Sequence, residues 1–434
     1  MEKTKQSGGG GFYYGWWIVI ACSMIGLLSI SSRFSFTMFF PTLIDDLGWT
    51  RAALGFGLTL HMWVHAISAI VAGYFVDKYG ARIIMCLGGL FILVGLSFTS
   101  TMTKVWQFYL YYGVILAAGV AFSFAVPILG TVRKWFIKKA GIALALTNVG
   151  GGLGGALMAV VIPGMLASFG WRKSWLYLGM ILGTAILILA GIFIRKDPES
   201  MGLLPDGEAA LQDDASAEVN PLSQQEIEEV WSLSDAMKTR SFWCFIMGGC
   251  ISAIPAVGIT GHIVNWGMDI ARAANVSAAD AMGSVKLGIA LSAIFTMVGA
   301  MVGGPLSDRF GRKPIILIGL ASDAAVFLFA STISTLSWFV NSAVLMGFCG
   351  GLVGPAFGAY VGDIFGRQAL AKIFSMIIFS IGIVGGTGAV IFGWIHDNSH
   401  SYAWAWIISA FCMTVTVLFF SLTRKEIKKG SSCK

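Results

Sequence analysis

Long apolar stretches alternate with short polar loops along most of this 434-residue chain. A bilayer core of about 30 Å is crossed by a helix of roughly 20 apolar residues, and twelve stretches of about that length can be marked. Their approximate bounds are 15–41, 52–76, 83–102, 105–131, 141–167, 174–195, 242–267, 281–306, 314–333, 337–362, 372–396 and 402–423. The backbone polar groups of an open strand would stay unpaired in hydrocarbon. The pattern therefore predicts an all-α membrane protein with twelve transmembrane helices.

One loop pattern occurs twice, half a chain apart. The stretch 73–82, GYFVDKYGAR, returns 231 residues later at 304–313 as GPLSDRFGRK. Trp175 precedes Trp406 by the same 231 residues. Internal repetition indicates a duplicated architecture. We therefore predict that the twelve helices form two pseudo-symmetric six-helix halves.

The repeat divides the chain into five segments. We predict an N-terminal tail at 1–14, a first six-helix half at 15–195, a linker at 196–240, a second half at 241–423 and a C-terminal tail at 424–434. The linker holds 11 of the 22 acidic residues of the chain. A plain tether is the first interpretation of this segment, and a regulatory or partner site is the alternative.

The repeated loop resembles the signature loop of the major facilitator superfamily, G-x-x-x-D-[RK]-x-G-x-[RK]. Four further stretches are similar to the bacterial branch around monocarboxylate porters and oxalate-formate exchangers. They are YGWW at 14–17, RFSFTMFFP at 33–41, GWTRAA at 48–53 and DPESMGLLP at 197–205. The resemblance implies the major facilitator fold and transport by alternating access. It also implies cationic residues in helices 8 and 11, but this chain has Ala300 and Ile377 in those regions.

Composition supports a membrane protein and excludes several other classes. Apolar residues make up 56% of the chain and charged residues only 12%, which is typical of a protein whose solvent is mostly lipid. The net charge of +7 comes from bases in short loops, a pattern that indicates membrane topology rather than nucleic-acid binding.

Seven cysteines without a C-x-x-C pair predict neither a disulfide framework nor a thiol metal site. The glycine run 150–155 follows no strand and has no P-loop lysine, so we interpret it as close helix packing between the halves.

Three charged residues lie well within the predicted spans: Arg33, Lys286 and Asp323. An ionisable side chain inside a membrane is costly when it faces lipid, so each is a functional candidate. Lys286 lies near the outer end of helix 8, where substrate binding and snorkelling to water are equal alternatives. Asp323 lies in a helix that is peripheral in the resembling family, and a structural hydrogen bond competes there with a proton site.

Arg33 is the strongest candidate for binding an anion. It shares one helix face with Ser29 and Thr37 at spacings of four residues, and its planar guanidinium matches a carboxylate. The alternative is an arginine that snorkels outward or pairs with Asp45 or Asp46. Further polar residues predicted to line the cavity are Tyr112, Asn148, His262 and Asn265.

His61 and His65 are four residues apart and therefore lie on one face of helix 2. A metal site would need a third ligand, which no nearby stretch supplies, so we predict no metal and no other cofactor. Histidine titrates near neutral pH and can relay protons within a membrane. Proton coupling and simple helix packing remain the two interpretations.

The resemblance also implies that the repeated loops form a conformational latch. In the family, the aspartate equivalent to Asp77 bonds across the inner face to the other half, with the start of helix 11 and Arg133 as the expected partners here. Asp308 would mirror it. Local capping of the following helix is the alternative. The residues assigned to the latch are Gly73, Asp77, Lys78, Gly80, Arg82, Arg133, Asp308, Arg309, Gly311 and Arg312.

These observations predict a secondary transporter of a small organic anion, a mono- or dicarboxylate, by proton symport or anion exchange. An exporter of drugs or other organic solutes is the alternative among transporters, although the cavity helices carry few acids. A transport-incompetent membrane receptor is the alternative from another class. No catalytic constellation is present, so an enzyme is not predicted. We expect a monomer whose partners are its substrate, protons and lipid, without nucleic acid.

The distribution of bases predicts the orientation in the membrane. Of the 29 Lys and Arg residues, 22 lie on the side of both termini and 5 on the other side. Basic loops are retained in the cytoplasm, so both termini and the linker should be cytoplasmic, and the protein should lie in the inner membrane.

In a cysteine-free background, a single cysteine in the linker should therefore resist an impermeant thiol reagent in intact cells. A cysteine replacing Thr103, in the loop between helices 3 and 4, should react. The opposite pattern would reverse the topology.

Overall fold

The computed structural model describes residues 13–136, 139–207, 233–365 and 370–424. Within the helices it describes every side chain except those of residues 77, 140–141, 145, 148–149, 151–152, 278–279, 370–372 and 375. The described part of the chain is helical apart from short connections. Eleven helices are long and apolar enough to cross a membrane, and one of them contains two crossings.

The spanning helices are numbered α1 to α12. Nine of them are regular: α1 Tyr14–Leu47, α2 Arg51–Tyr79, α3 Ala81–Thr99, α7 Arg240–Ala273, α8 Ala278–Phe310, α9 Arg312–Ala330, α10 Leu336–Phe365, α11 Leu370–Ser399 and α12 Ala403–Ser421. The predicted all-α fold of twelve transmembrane helices is confirmed. Helix α1 runs six residues beyond its predicted end at Pro41, because Gly48 terminates it with a left-handed φ of 65°.

Helices α4, α5 and α6 are irregular. Helix α4 runs from Val105 to Trp135, has wide π-helical turns over Tyr109–Leu116, and is interrupted beside Ala125, where φ is 39°. The helix Ala140–Leu178 bends at Gly170, where φ is 69°. This glycine separates α5, residues 140–169, from α6, residues 171–193. Glycine suits the bend because it adopts positive φ without a steric penalty.

The repeated loops form the same turn in both halves. Gly80 is the single residue between α2 and α3, and Gly311 is the single residue between α8 and α9. Their φ angles are 86° and 93°. A residue with a Cβ would be strained at these angles. The positive φ angle therefore explains why both copies of the loop have glycine at this position.

The two halves meet on one side of the bundle. We call the face where Tyr13 and Arg424 lie the terminal face, and the other the far face. Helices α2 and α11 are joined by hydrogen bonds from Thr59 to the Gly386 carbonyl, 2.6 Å, and from the Trp63 indole to the Ile383 carbonyl, 2.7 Å.

The contact between the halves ends part-way through the membrane. Helix α2 begins at the far face, and Trp63 is the last residue along it that hydrogen-bonds to the other half, among the residues that the structure describes. Beyond it, Ile67 and Ile70 are more than half exposed. Helices α1 and α7 also join toward the far face, where the Thr37 hydroxyl donates to the Thr260 carbonyl at 3.1 Å. The described bundle is therefore closed at the far face and divided toward the terminal face.

The two glycine clusters have different neighbours. In α5, a Cβ on Gly150 or Gly154 would meet the backbone of α1, in the same half. In α11, Gly386 faces α2 of the other half, while Gly388 faces the backbone of α7. The prediction that the run 150–155 packs between the halves is wrong for Gly150 and Gly154, which pack against α1 within the first half. Gly386 of α11 is the glycine that packs between the halves. The sequence alone does not show which helix a glycine run contacts.

We expect Gly388→Ala to destabilise the protein, because the added methyl group would overlap the carbonyl oxygen of Ile254. Overpacking of this kind costs about 1 to 3 kcal/mol, so the melting temperature in detergent should fall by several degrees. Gly350→Ala is the matched control, since a Cβ there meets nothing within 4 Å. Equal melting temperatures for the two variants would contradict the packing described here.

Candidate functional site

Arg33 lies on α1 without an acidic partner among the side chains that the structure describes. Its guanidinium carbon is 5.6 Å from the centre of the Phe34 ring, and its carbonyl accepts a hydrogen bond from the Tyr112 hydroxyl at 2.9 Å. The two acids considered as partners are engaged elsewhere. Asp45 lies 3.5 Å from Arg272, and Asp46 accepts the Trp171 indole N–H at 2.7 Å.

Two histidines of α2 lie close to this arginine. His61 is fully buried, and its Nδ1 is 3.1 Å from the carbonyl oxygen of Tyr112. The His65 ring lies nearly parallel to that of His61, 6.5 Å away between centroids. Both rings lie within electrostatic range of the Arg33 charge. The four side chains, Arg33, His61, His65 and Tyr112, are called the cationic cluster below.

The hydrogen bond to Tyr112 determines the tautomer of His61. A carbonyl oxygen can only accept, so Nδ1 of His61 carries the hydrogen. The other ring nitrogen, Nε2, is buried and has no hydrogen-bond partner among the described residues. In the neutral ring that nitrogen has a free lone pair. The cluster therefore contains one unused proton acceptor.

The position of Tyr112 is maintained by aromatic packing and by the shape of α4. Its ring stacks on Phe108 at 5.1 Å and packs against Phe36 of α1 at 5.0 Å. It lies within the wide turns of α4, and π-helical turns inside α-helices are often found at functional sites. Helices α1 and α4 are also joined by a 2.8 Å hydrogen bond between Ser29 and Ser123.

A cavity of about 320 Å³ lies next to the cluster, between α1, α5, α7 and α8. Phe34 lines it, so the ring beneath the Arg33 guanidinium is also part of its wall. Most of the lining is apolar, and the hydroxyl-bearing residues are Thr37, Thr260, Ser292 and Thr296. A mostly apolar space with a few polar groups is typical of a small-molecule site. Both halves contribute to its wall.

The comparisons with known proteins identify the family of this chain. A family model described as Major Facilitator Superfamily matches residues 22–279 and 256–432. The chain belongs to the major facilitator superfamily. Its fold and its class, a secondary transporter and not an enzyme, follow from this membership.

Three related proteins are transporters of known substrate class. The chain is 26% identical over 405 residues to an oxalate:formate antiporter of Oxalobacter formigenes, covering 90% of this chain and 89% of that protein. It is 27% identical over 362 residues to a riboflavin transporter of Saccharomyces cerevisiae, covering 78% of this chain and 64% of that protein. It is 23% identical over 443 residues to human monocarboxylate transporter 7, covering 90% of this chain and 82% of that protein. The resemblance to the branch of monocarboxylate porters and oxalate-formate exchangers is confirmed.

A solved structure of a D-xylose-proton symporter has the same fold. The TM-score is 0.75 at 13% identity, with 97% of this chain and 100% of that chain covered. At this identity the likeness concerns the fold alone.

Other residues predicted for the transporter's cavity have different surroundings. The Ser29 hydroxyl is buried and already donates to the Ile25 carbonyl. Lys286 is half-buried on α8, without an ion pair to any described residue. Asn265 is buried, and its Nδ2 has no hydrogen-bond partner among the described residues. The side chain of Asn148 lies outside the described part of the chain.

His262 and Asp323 lie away from the cationic cluster. Both ring nitrogens of His262 are engaged, one 2.8 Å from the Tyr402 hydroxyl and the other 2.9 Å from the Ala389 carbonyl. Asp323 is buried on α9 of the second half and makes no hydrogen bond to the residues that the structure describes. Neither shares a helix or a contact with Arg33.

The first signature loop of this superfamily member faces its own half where it is described. Gly73 is next to Val126 of α4. Lys78 lies over the ring of the following tyrosine at 5.1 Å, and Arg82 and Arg133 are exposed. The side chains of Asp77 and of residues 370–372, at the start of α11, lie outside the described part of the chain. The bond between them remains a prediction.

The second signature loop is tied to α10 of the same half. Arg312 lies 2.5 Å from Asp363 and 3.8 Å from Asp308, and it donates to the Ala359 carbonyl at 2.6 Å. Arg309 lies over the neighbouring Phe310 ring at 5.4 Å. In this state of the transporter the Asp308 carboxylate therefore has a local partner.

A polar network at the far face was not expected from the sequence. It includes Arg51, Asp269 and Tyr402, which come from α2, α7 and the start of α12. Burial raises the pKa of the Tyr402 hydroxyl, so that group is neutral. Opposite charges at helix ends were visible in the sequence. Their pairing was not, because Arg51 and Asp269 are 218 residues apart.

Proposed function

We propose that this protein moves a small organic anion across the membrane by alternating access, and that Arg33 binds the anionic group. The observation that carries the proposal is the uncompensated charge of the cationic cluster. Arg33 has no acidic partner among the described side chains, and the residues beside it are two histidines and a tyrosine. Arg33 is half-buried, and a charge without a partner inside the membrane is unfavourable. A substrate carboxylate would provide the missing partner.

The related proteins and the neighbouring cavity both support a carboxylate as the anionic group of the substrate. Two relatives are described by their carboxylate substrates, and the guanidinium plane accepts two oxygens at once. The neighbouring cavity is lined mainly by apolar groups of both halves, including Phe34. A riboflavin transporter is also among the relatives, so we propose the chemical class and not one compound.

We also propose that the terminal face is cytoplasmic, because 22 bases lie on that side and 5 on the other. The structure would then represent the inward-facing state. In this state the cationic cluster could exchange substrate with the cytoplasm. Transport from outside would require the far face to open.

Loss of the Arg33 guanidinium should weaken carboxylate binding. A charge-assisted hydrogen bond contributes about 1.5 to 3 kcal/mol, so Arg33→Gln should weaken binding by one to two orders of magnitude. Arg33→Lys keeps the charge but loses the planar fork, and should bind with intermediate affinity. Calorimetry on purified, folded protein with a panel of mono- and dicarboxylates measures the effect.

Arg172→Gln is the control, since Arg172 is a far-face arginine that binds the carbonyl groups of Ser100 and Met102. Wild-type affinity in Arg33→Gln would move the site to Lys286 and the α8 side of the cavity.

We propose that His61 couples the anion to a proton. A proton at Nε2 would place a second positive charge beside Arg33, and like charges repel strongly in a low-dielectric site. The proton would therefore bind well only when an anion is present. By linkage, the proton would strengthen anion binding by the same factor. The result is symport of anion and proton.

Uptake of a bound carboxylate into proteoliposomes should therefore rise as the external pH falls. His61→Gln should remove this dependence, because glutamine hydrogen-bonds but does not titrate near neutral pH. His400→Asn, in the exposed loop before α12, should keep it. A pH dependence that survives in His61→Gln and in His65→Gln would contradict proton coupling by the cluster.

Anion exchange is the second candidate mode. The unpaired Arg33 guanidinium also favours this mode. A transporter that changes conformation without substrate would have to enclose this charge without a partner, which is unfavourable. Exchange avoids that step, because every conformational change then takes place with an anion bound. Proteoliposomes preloaded with unlabelled carboxylate should take up label faster than empty ones if exchange dominates, and a proton gradient should drive uptake into empty ones if symport does.

A further inference from the structure

The far face is closed by a set of charges that no part of the proposed binding site uses. Arg51, the first residue of α2, makes two parallel hydrogen bonds to the Asp269 carboxylate of α7, at 2.7 and 2.8 Å. Its guanidinium also donates to the Tyr402 hydroxyl at 2.7 Å. The Arg51 side chain is only 9% exposed. A paired, two-point contact of this kind is stronger and more directional than a surface ion pair.

A second carboxylate of the other half holds the backbone of α2. The two oxygens of Asp397, on α11, accept the N–H groups of Arg51 at 3.2 Å and Ala52 at 2.8 Å. Free N–H groups in the first turn of a helix attract a negative charge. The α2 terminus of the first half is thus capped from the second half. Gly393 of α11 allows this approach, since a Cβ there would overlap the backbone of Arg51.

The second half holds these groups in place through its own contacts. His396 lies with its Nε2 3.1 Å from the Asp269 carboxylate. His262 orients Tyr402 through the 2.8 Å contact of Nδ1 with the hydroxyl, and its Nε2 contacts the Ala389 carbonyl of α11. The groups that meet Arg51 are therefore positioned before α2 arrives. Their arrangement is complementary to one side chain and one helix terminus.

We propose that Arg51, Asp269 and Asp397 form the gate of the far face, which must separate before the cavity opens on that side. The proposal rests on the alternating-access part of the proposed function and is independent of the role of Arg33. Its location agrees with a transport gate, because Ile263, two turns before Asp269 on α7, lines the cavity. When the face opens, water can hydrate the separated charges of Arg51 and Asp269. This hydration lowers the free-energy cost of breaking the pair, so the gate can open as well as close.

The chain contains an internal control. Asp45 of α1 and Arg272 of α7 also form an ion pair between the halves at the far face. Their contact is longer, 3.5 Å, and their side chains are 61% and 53% exposed. Exposed pairs of this type contribute little. If any charge pair between the halves sufficed as a gate, loss of either pair would open the far face. We assign the gate to the Arg51–Asp269 pair alone, whose side chains are 9% and 26% exposed. Because Arg272 lies 3.3 Å from Asp269 as well, the control variant is made at Asp45.

The test measures access to the cavity from the far face. Ile263→Cys in a cysteine-free background serves as the reporter, and a membrane-impermeant charged maleimide is added to intact cells. The parent protein should react slowly. Arg51→Gln and Asp269→Asn should raise the labelling rate by at least about tenfold, because loss of a buried pair shifts the equilibrium toward the open state by that order or more. Asp45→Asn, which removes the exposed pair without touching Asp269, should leave the labelling rate unchanged.

Three further variants keep the gate testable if one of the first two does not fold. Arg51→Lys keeps a charge and should give an intermediate labelling rate. Asp397→Asn removes the charged cap without leaving an unpaired arginine, and should also raise the rate. The double variant Arg51→Gln with Asp269→Asn should label no faster than the faster single variant, since both act on one contact. Gel filtration of each purified variant identifies those that are folded.

Unchanged labelling in the folded variants at Arg51, Asp269 and Asp397 would overturn the gate. Equal acceleration by Asp45→Asn would overturn the assignment to the Arg51–Asp269 pair. Arg33→Gln separates this proposal from the proposed function, because it should weaken carboxylate binding while the labelling rate stays at the parent value. Anion binding by Arg33 is tested by calorimetry and the gate by the labelling rate, so one proposal can fail while the other holds.

Discussion

A charge inside the membrane bundle must find an opposite charge or meet water, and this constraint separates the two arginines of the first half. Arg51 is held by Asp269 and by the Tyr402 hydroxyl. Arg33 has no acidic partner among the described side chains and lies near two histidines. The same type of side chain thus serves two purposes. One arginine is satisfied by the protein and joins the halves, and the other is left for a ligand.

Helix α2 connects these two places. Arg51 is its first residue, and His61 follows ten residues later, which is about 15 Å along a helix. Between them, Thr59 is bonded to α11 of the other half. A rigid helix that carries both a gate residue and a proton acceptor provides a direct mechanical connection between events in the cluster and closure of the far face. No chain of intermediate residues is needed.

Much of the fold was predictable because lipid leaves the chain few choices. Apolar length alone predicts the twelve crossings, and the loop repeat predicts the two halves. The chemistry of the site was predictable in part: Arg33, His61 and Tyr112 were selected as rare polar residues within apolar spans, and the structure brings them together. The pairing of Arg51 with Asp269 was not predictable, because loop charges are common and their partners lie on distant helices. The packing of Gly150 against α1 likewise depends on which helices become neighbours.

The cap on α2 has a consequence for backbone order. The first two N–H groups of α2 bind a carboxylate of the other half, and the helix's own cap, the Thr50 hydroxyl, accepts only the N–H of Ala53. Separation of the halves at the far face would leave the first turn of α2 with water as its partner. Helix ends without a cap fray. The start of α2 would then be structured in one access state and partly unwound in the other, so that hydrogen exchange at Arg51 and Ala52 reports on the conformation of the whole transporter.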